Sequence, residues 1–176
     1  MVIVGFESTS TSTLKTIGKG ANLRADYDRV IAAIHAAHLM IYGTFVIGYD
    51  GDTVQTAGAA SRFAEKHRFA IANFNPLMPM PGTRLYSRLD AEGRLPHDRW
   101  WIDPAYRYGD AMLVPGGMTA DELTSSCRDA RFAFHSARSI ARRLAHPATN
   151  ARTPFNAALF LAANLTSRRE IHAKQG

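Results

Sequence analysis

The residue types that could carry chemistry in this chain include a single cysteine. Cys127 is the only cysteine among 176 residues. Disulfides and cysteine-ligated zinc or iron–sulfur sites all need more than one thiol, so this chain by itself supplies none of them. A helix is predicted around Cys127, with no histidine close by to activate the thiol. We therefore interpret Cys127 as an inert, partly buried thiol and not as a nucleophile.

Two histidines, His35 and His38, are predicted to share one helix face at a spacing that could hold a metal ion. No third ligand is apparent, and the pair lies on a crossover helix and not at a strand end. A small zinc hydrolase built on this pair remains an alternative. It predicts bound zinc in the purified protein.

Polar and glycine residues also follow three apolar runs. Glu7 and Ser8 come after the first run, Gly48 after the second, and the Pro/Met-rich loop 75–83 after the third. Each has a purely structural interpretation: Ser8 as a helix cap, Gly48 as a turn residue, and the loop as a stiff connector. Their significance depends on where the surrounding elements place them.

Those elements alternate between strand and helix. Residues 2–6, 41–47 and 69–74 read as strands, the first of them apolar enough to be buried on both faces. Helices are predicted between them, over residues 8–17, from Asp26 to about 37, and from Asp52 or Thr53 to about 67. Helical connections imply parallel strands, and such folds place active sites at the carboxyl ends of the strands.

After the third strand the pattern becomes helical. Thr83 is predicted to cap a short helix over residues 85–89, and Thr119 to open a capping box before one long helix that ends ahead of Pro147. Pro154 begins a last helix. The fold class is therefore α/β: three parallel strands with crossover helices, as in part of a (β/α) barrel, followed by an α-helical extension.

The formal charge of +6 suggests an anionic partner such as nucleic acid. Much of this excess lies in the last third, at Arg138, Arg142, Arg143, Arg152, Arg168, Arg169 and Lys174. Because the same helices carry apolar residues, a solvated helix face explains the charge, and nucleic-acid binding is not favoured. A basic binding module remains an alternative function, and it predicts affinity that falls steeply with salt.

Four segments taken together resemble the later half of the radical S-adenosylmethionine barrel, in the subgroup associated with a cobalamin (B12)-binding domain. They are residues 5–8, 14–20, 45–53 and 75–86. The resemblance extends over the whole chain. It implies that residues 1–94 form the C-terminal half of the barrel and that residues 95–176 form the helical C-terminal extension.

The resemblance also implies a half-site for S-adenosylmethionine, with no catalytic or metal-binding residues in this chain. The implied contacts follow the three strands in turn: Glu7 and Ser8 near the ribose and amino-acid portion, then Val46, Ile47 and Gly48 against the adenine, then Asn75, Leu77 and Met78 completing the adenine wall.

One departure from the family pattern determines the functional expectation. The family ligates a 4Fe-4S cluster through a CxxxCxxC loop, and this chain lacks that loop, the first three strands and the cobalamin domain. We expect a fragment of a radical methyltransferase or oxidative cyclase, inactive alone, whose 4Fe-4S and cobalamin belong to the full-length parent. A separate upstream polypeptide could supply the missing parts. No apolar run is long enough to span a membrane, no secretory signal is apparent, and the expected location is cytoplasmic.

Overall fold

A three-stranded parallel sheet forms the centre of the fold. The computed structural model describes residues 1–8, 13, 26–97 and 99–175. Strands β1 (Val2–Glu7), β2 (Ile41–Ile47) and β3 (Ile71–Pro76) lie in chain order, with β2 in the middle. The predicted parallel arrangement is confirmed, and it is compatible with part of a (β/α) barrel. The described residues form an open sheet and not a closed barrel.

Six helices accompany the sheet in the described part of the chain. They are α1 (Tyr27–Ala36), α2 (Thr56–Lys66), α3 (Arg84–Ala91), α4 (Ala120–Phe134), α5 (Ala137–Leu144) and α6 (Pro154–Gln175). The predicted caps Asp26 and Thr83 accept hydrogen bonds from the first turns of α1 and α3, and Thr119 forms the predicted capping box with Glu122. The predicted cap of α2 is wrong, because Gln55 occupies that position.

The core lies on one face of the sheet, between the strands and helices α1, α2 and α4. Phe6, Phe45 and Phe74, one from each strand, stack in a row across the sheet. Their ring centroids are 5.5 Å and 5.4 Å apart and their planes lie within 17°. Aromatic pairs of this kind contribute attraction beyond simple burial, so the row fixes the strand register on the helix-covered face.

The opposite face of the sheet is open. Ile3 is 69% exposed, and Glu7, Tyr42, Thr44 and Val46 are only partly buried. The prediction that β1 is buried on both faces is therefore wrong for the described residues. Successive side chains of a strand point to opposite faces, and the helices cover only the face that carries Val2, Val4 and Phe6.

The predicted single long helix is also wrong, because α4 ends at Phe134 and α5 begins at Ala137. The backbone N–H of His135 bonds back to the last turn of α4, and the Ser136 side chain accepts a hydrogen bond from the Ser139 N–H to cap α5. A cap serine at this position stops one helix and starts the next, which lets α5 turn away from the direction of α4.

A buried arginine joins the helical region to the sheet. Arg143 is fully buried and donates hydrogen bonds at 2.8 to 2.9 Å to four acceptors: the carbonyl oxygens of Phe69, Ala70 and Phe134 and the side-chain oxygen of Asn164. Its guanidinium also lies 3.7 Å from the ring centroid of Phe134. For this residue the predicted solvated basic face is wrong.

Several expectations remain predictions. The helix proposed over residues 8–17 lies outside the described residues apart from Ser8 and Thr13. The division into residues 1–94 and 95–176 is untested, although one core cluster draws on both ranges. No helix within residues 26–97 or 99–175 has the length and apolar character needed to cross a membrane.

Candidate functional site

The carboxyl ends of β2 and β3 are held together by a compact loop. The side chain of Asp52, 1% exposed, accepts hydrogen bonds from the backbone N–H of Gly48 at 2.9 Å and of Tyr49 at 3.1 Å, and from the Thr13 hydroxyl at 3.0 Å. The N–H of Leu77 donates to the carbonyl of Ile47 at 2.7 Å. These bonds fix the backbone where both strands end. Burial raises the pKa of Asp52, and the three hydrogen bonds oppose that shift.

Gly48 occupies a position that only glycine fits well. Its φ is +116°, and a Cβ atom there would lie 2.8 Å from a methyl carbon of Leu123. Because L-residues rarely adopt this backbone conformation, the sharp exit from β2 depends on glycine. The loop is also approached closely from the helical region, since a Cβ on Gly117 would lie 2.3 Å from the carbonyl oxygen of Asp52.

The end of β1 carries a bulge. Pairing with β2 shifts register between Gly5 and Glu7, and Glu7 has a φ of 61°. A Cβ on Gly5 would lie 3.0 Å from the Glu7 carboxylate, so this side chain folds back over the open face of the sheet. Ser8 is buried, and its N–H bonds to the carbonyl of Phe6 at 2.7 Å. The negative charge of Glu7 also reaches the loop after β2. The pKa of Tyr49 is raised mainly by burial and next by this charge.

A cavity of about 330 Å³ lies at these strand ends. Two of the predicted residues, Gly48 and Leu77, line it together. The rest of its wall combines apolar and cationic side chains with one acid, namely Leu85, Leu89, Leu113, Arg84, Arg88, Arg94, Tyr49 and Asp50. A mixed wall of this kind can take an apolar ring on one side and polar groups on the other.

The ion pairs beside this cavity were not predicted from the sequence. Asp50 pairs with Arg94 and, at 3.4 Å, with Arg88. Hydrogen bonding to Arg94 is the main reason why the pKa of Asp50 is lowered. Arg94 also donates to the carbonyl of Val114 at 2.7 Å, so the network ties the β2 loop to the segment that leads into α4. The one sequence signal that could have indicated these ion pairs was Asp50 itself, which lies two residues before Asp52 in a Gly-rich turn.

The other predicted residues are more dispersed. Val46 lies on the open face and Ile47 is buried in the core, where its carbonyl oxygen meets Leu77. Asn75 is exposed, and its side-chain oxygen accepts a hydrogen bond from Arg131 at 3.2 Å. Met78 is 44% exposed. Their roles toward a cofactor remain predictions.

The structure does not support the alternative metal pair. Helix α1 ends at Ala36, and His38 has a φ of 60°, so His35 and His38 do not share a helix face. Instead, His35 packs against His146 with ring centroids 4.8 Å apart. Within the described ranges, no group of three or more His, Cys, Asp or Glu residues is arranged to bind a metal. Cys127 is fully buried and burial raises its pKa to about 12, which fits the inert thiol expected from the sequence.

The chain is similar to several methyltransferases. It is 28% identical over 123 residues to a bacteriochlorophyllide d C-12(1)-methyltransferase from Chlorobaculum tepidum, which covers 70% of this chain and 26% of that protein. It is 29% identical over 97 residues to a hopanoid C-2 methylase from Rhodopseudomonas palustris, and the match covers 55% of this chain and 18% of that protein. An uncharacterized methyltransferase from Pyrococcus horikoshii is 30% identical over 138 residues, and the match covers 76% of this chain and 28% of that protein. No family model matches the chain.

The chain therefore spans about a quarter or less of the length of these curated relatives. The relatives differ in what their names say they act on, a bacteriochlorophyllide in one case and a hopanoid in another, yet all are named as methyltransferases or methylases.

Proposed function

We propose that this chain is the C-terminal portion of the catalytic barrel of a radical S-adenosylmethionine methyltransferase. It contributes three strands, half of the S-adenosylmethionine site and the helical extension. The observation that carries the proposal is the convergence of Gly48 and Leu77 on one cavity at the carboxyl ends of parallel strands, the place where such folds bind ligands. The shared methyltransferase names of the relatives favour methylation over oxidative cyclisation.

The residues at the strand ends suit part of S-adenosylmethionine. Gly48 presents bare backbone in the wall of the cavity, and Leu77 supplies an apolar side chain beside it. Glu7, folded over the open face, can accept hydrogen bonds from hydroxyl or ammonium groups. When bound in a complete site, S-adenosylmethionine would supply the methyl group and the radical precursor. The part of this chain that acts on it is the wall formed by the β2 and β3 ends.

The residues of this chain do not suit a 4Fe-4S cluster. Such a cluster needs several thiolates, and the single thiol, Cys127, is fully buried with a pKa raised to about 12. Cobalamin has no identifiable site among the described residues. We therefore assign the cluster and cobalamin to the remainder of the parent, whether in the same polypeptide or in a separate chain, and expect the 176 residues alone to be inactive.

The β1 edge and the open sheet face are compatible with pairing to further strands. β1 pairs only with β2 in the described part of the chain, and Ile3 on its open face is 69% exposed. The edge of a sheet can accept another strand through backbone hydrogen bonds. Earlier barrel strands docked at this edge would extend the sheet and turn its open face into the barrel interior.

The test is anaerobic iron–sulfur reconstitution followed by measurement of 5′-deoxyadenosine release from S-adenosylmethionine. It compares the 176-residue chain alone with the chain co-expressed with the coding region immediately upstream. We expect a cluster and product only in the co-expressed form. Product from the chain alone would overturn the assignment of the cluster to other residues, and no product from either form would overturn the proposed function.

A pair of variants tests the half-site directly. Leu77→Asp places a charge in the apolar wall, which costs more than about 1.4 kcal/mol and is expected to lower product release at least about tenfold in the co-expressed form. Val54→Asp introduces the same charge at a 38% exposed position outside this cavity and serves as the control. Equal activity of the two variants would contradict the assignment of Leu77 to the cofactor wall.

A further inference from the structure

A second cavity, separate from the strand-end site, lies between the sheet and the helical region. Its volume is about 260 Å³. One wall is formed by β2 and β3 through Tyr42, Asn73 and Asn75. The opposite wall is formed by Arg131 of α4, by His135 directly after α4, and by Ser167 of α6. The β-strand residues are those of the open face, so this cavity adjoins the surface that would become the barrel interior under the proposed function.

The cavity contains a buried cation. Arg131 is 8% exposed and donates to the side-chain oxygen of Asn75 at 3.2 Å. Burial lowers the pKa of its guanidinium, but arginine remains protonated in proteins. The planar fork of arginine matches the two oxygens of a carboxylate, and the Asn75 amide group offers a further donor beside it.

The cavity is also lined by a buried acceptor. His135 is 4% exposed, and its Nδ1 lies 3.0 Å from the carbonyl oxygen of Arg131. Because a carbonyl can only accept, Nδ1 carries the proton and Nε2 is an acceptor. Nε2 is buried without a hydrogen-bond partner among the described residues. Burial lowers the pKa of His135 to about 4, so the ring is neutral at physiological pH.

Size and charge narrow the choice of ligand. A cavity of about 260 Å³ is smaller than the roughly 300–1,000 Å³ typical of sites that enclose a whole drug-sized ligand, so it suits one arm of a larger molecule. Arg131 is the one buried cation in its described lining. The remaining charged residues, Glu170 and Lys174, are exposed and of opposite sign. A single buried guanidinium matches a singly charged carboxylate better than a doubly charged phosphate.

We propose that this cavity binds a carboxylate-bearing arm of the substrate, with Arg131 and Asn75 as donors. Neutral His135 then accepts a hydrogen bond from a hydroxyl or amide group on the same arm. The assignment of this arm to a substrate rests on the proposed function, whereas binding of the carboxylate does not. The inference places substrate selection at α4 and α6 and assigns Asn75 of β3 to the substrate arm, in place of the adenine-wall role that the resemblance implies; Gly48 and Leu77 remain the cofactor wall.

The test is an NMR titration of the isotope-labelled 176-residue chain with sodium benzoate, benzamide, inorganic phosphate and S-adenosylhomocysteine. Benzamide has the shape of benzoate without its charge. We expect benzoate to shift the signals of Asn75, Arg131 and His135, and benzamide to bind at least about tenfold more weakly. S-adenosylhomocysteine is expected to shift Gly48 and Leu77 instead, which reports on the proposed function separately.

Three variants complete the test. Arg131→Gln removes the charge and is expected to weaken benzoate binding at least about tenfold. Ser167→Phe fills the cavity from α6 and should do the same without removing a buried cation. Arg128→Gln changes an arginine of the same helix whose side chain is 44% exposed, and it should bind benzoate as the unmodified chain does.

The contrary results are equally specific. Equal affinity for benzoate and benzamide, or a phosphate response at these residues without a benzoate response, would overturn the carboxylate assignment. Benzoate binding that survives both Arg131→Gln and Ser167→Phe would show that the ligand binds elsewhere. No shift at the highest soluble benzoate concentration would also refute the proposal.

Discussion

Substitution of Arg143 by methionine tests the account of how the helical region is attached to the sheet. The arginine donates to carbonyl oxygens just before β3 and at the end of α4, and to the Asn164 side chain of α6. Methionine is long and apolar, so it retains most of the packing against Phe134 and Phe160. The substitution therefore isolates the hydrogen bonds and the charge.

The expected loss follows from two opposing contributions. Burial lowers the pKa of Arg143 from 12.5 to about 9, which corresponds to a penalty of roughly 5 kcal/mol on the charged form. Hydrogen bonds from a charged donor contribute about 2 kcal/mol each, so the four short ones together contribute roughly 8 kcal/mol. The difference predicts that Arg143→Met lowers the unfolding free energy by about 3 kcal/mol, in the range found when one side of a buried charged network is removed.

The measurement is urea unfolding of the 176-residue chain followed by circular dichroism. Arg142→Met is the matched control, because Arg142 is the adjacent arginine, its side chain is 51% exposed, and its ion pair with Glu65 is expected to contribute less than about 1 kcal/mol. A loss below about 1 kcal/mol for Arg143→Met, or equal losses for the two variants, would contradict this role of Arg143, because it would show that burial of the charge cancels its hydrogen bonds.

Three further predictions concern the strand-end loop and the helical region. Gly48→Ala should lower the unfolding free energy by about 2–4 kcal/mol in thermal melts, because φ is +116° and the new Cβ would lie 2.8 Å from a leucine methyl of α4. The control is Gly58→Ala inside α2, which should be neutral or stabilising. Asp52→Ala should speed amide hydrogen exchange at Gly48 at least about tenfold, and unchanged protection there would contradict the role given to this carboxylate. Burial lowers the pKa of His135 from 6.5 to about 4, so the unfolded chain takes up this proton first as the pH falls. His135 should therefore contribute roughly 3 kcal/mol to the loss of unfolding free energy from pH 6.5 to 4, in addition to the contribution of His35, whose pKa burial also lowers to about 4. A pH-dependent loss that His135→Gln does not reduce would oppose this assignment.

Local signals in the sequence predicted the elements that depend on neighbouring residues. The bounds of β2, the caps Asp26 and Thr83, the capping box at Thr119 and the proline at the start of α6 all agree with the structure. Each of these features is determined within a few residues by turn chemistry, hydrophobic runs or side-chain caps. The parallel order of the strands followed from the helical lengths between them.

Features that depend on distant residues were not predictable in the same way. An arginine on a helix is usually solvated, and Arg143 is buried only because carbonyl groups far away in the chain converge on it. The break at His135 was missed because the apolar spacing continues across it. The exposure of Ile3 was missed because an apolar strand reads the same whether helices cover one face or both.

The candidate site was predicted in part for the same reason. The sequence predicted that residues at the strand ends lie together, and the structure places Gly48 and Leu77 in the wall of one cavity, while their role toward a cofactor stays a prediction. The ion pair of Asp50 with Arg94 and the cavity beside Arg131 each join residues more than forty positions apart, and no spacing within one segment indicates them. Only the fold reveals which charges meet.

The contact between Gly117 and the carbonyl of Asp52 limits how this region can diversify during evolution. A side chain at position 117 would overlap the β2 loop, so the two loops can change only in concert. Insertions are better tolerated where the chain leaves the packed core, around Ile102 and Tyr108, which are 65% and 66% exposed. Relatives with different substrates are therefore expected to vary in length between α3 and α4 while the loop at the end of β2 keeps its length.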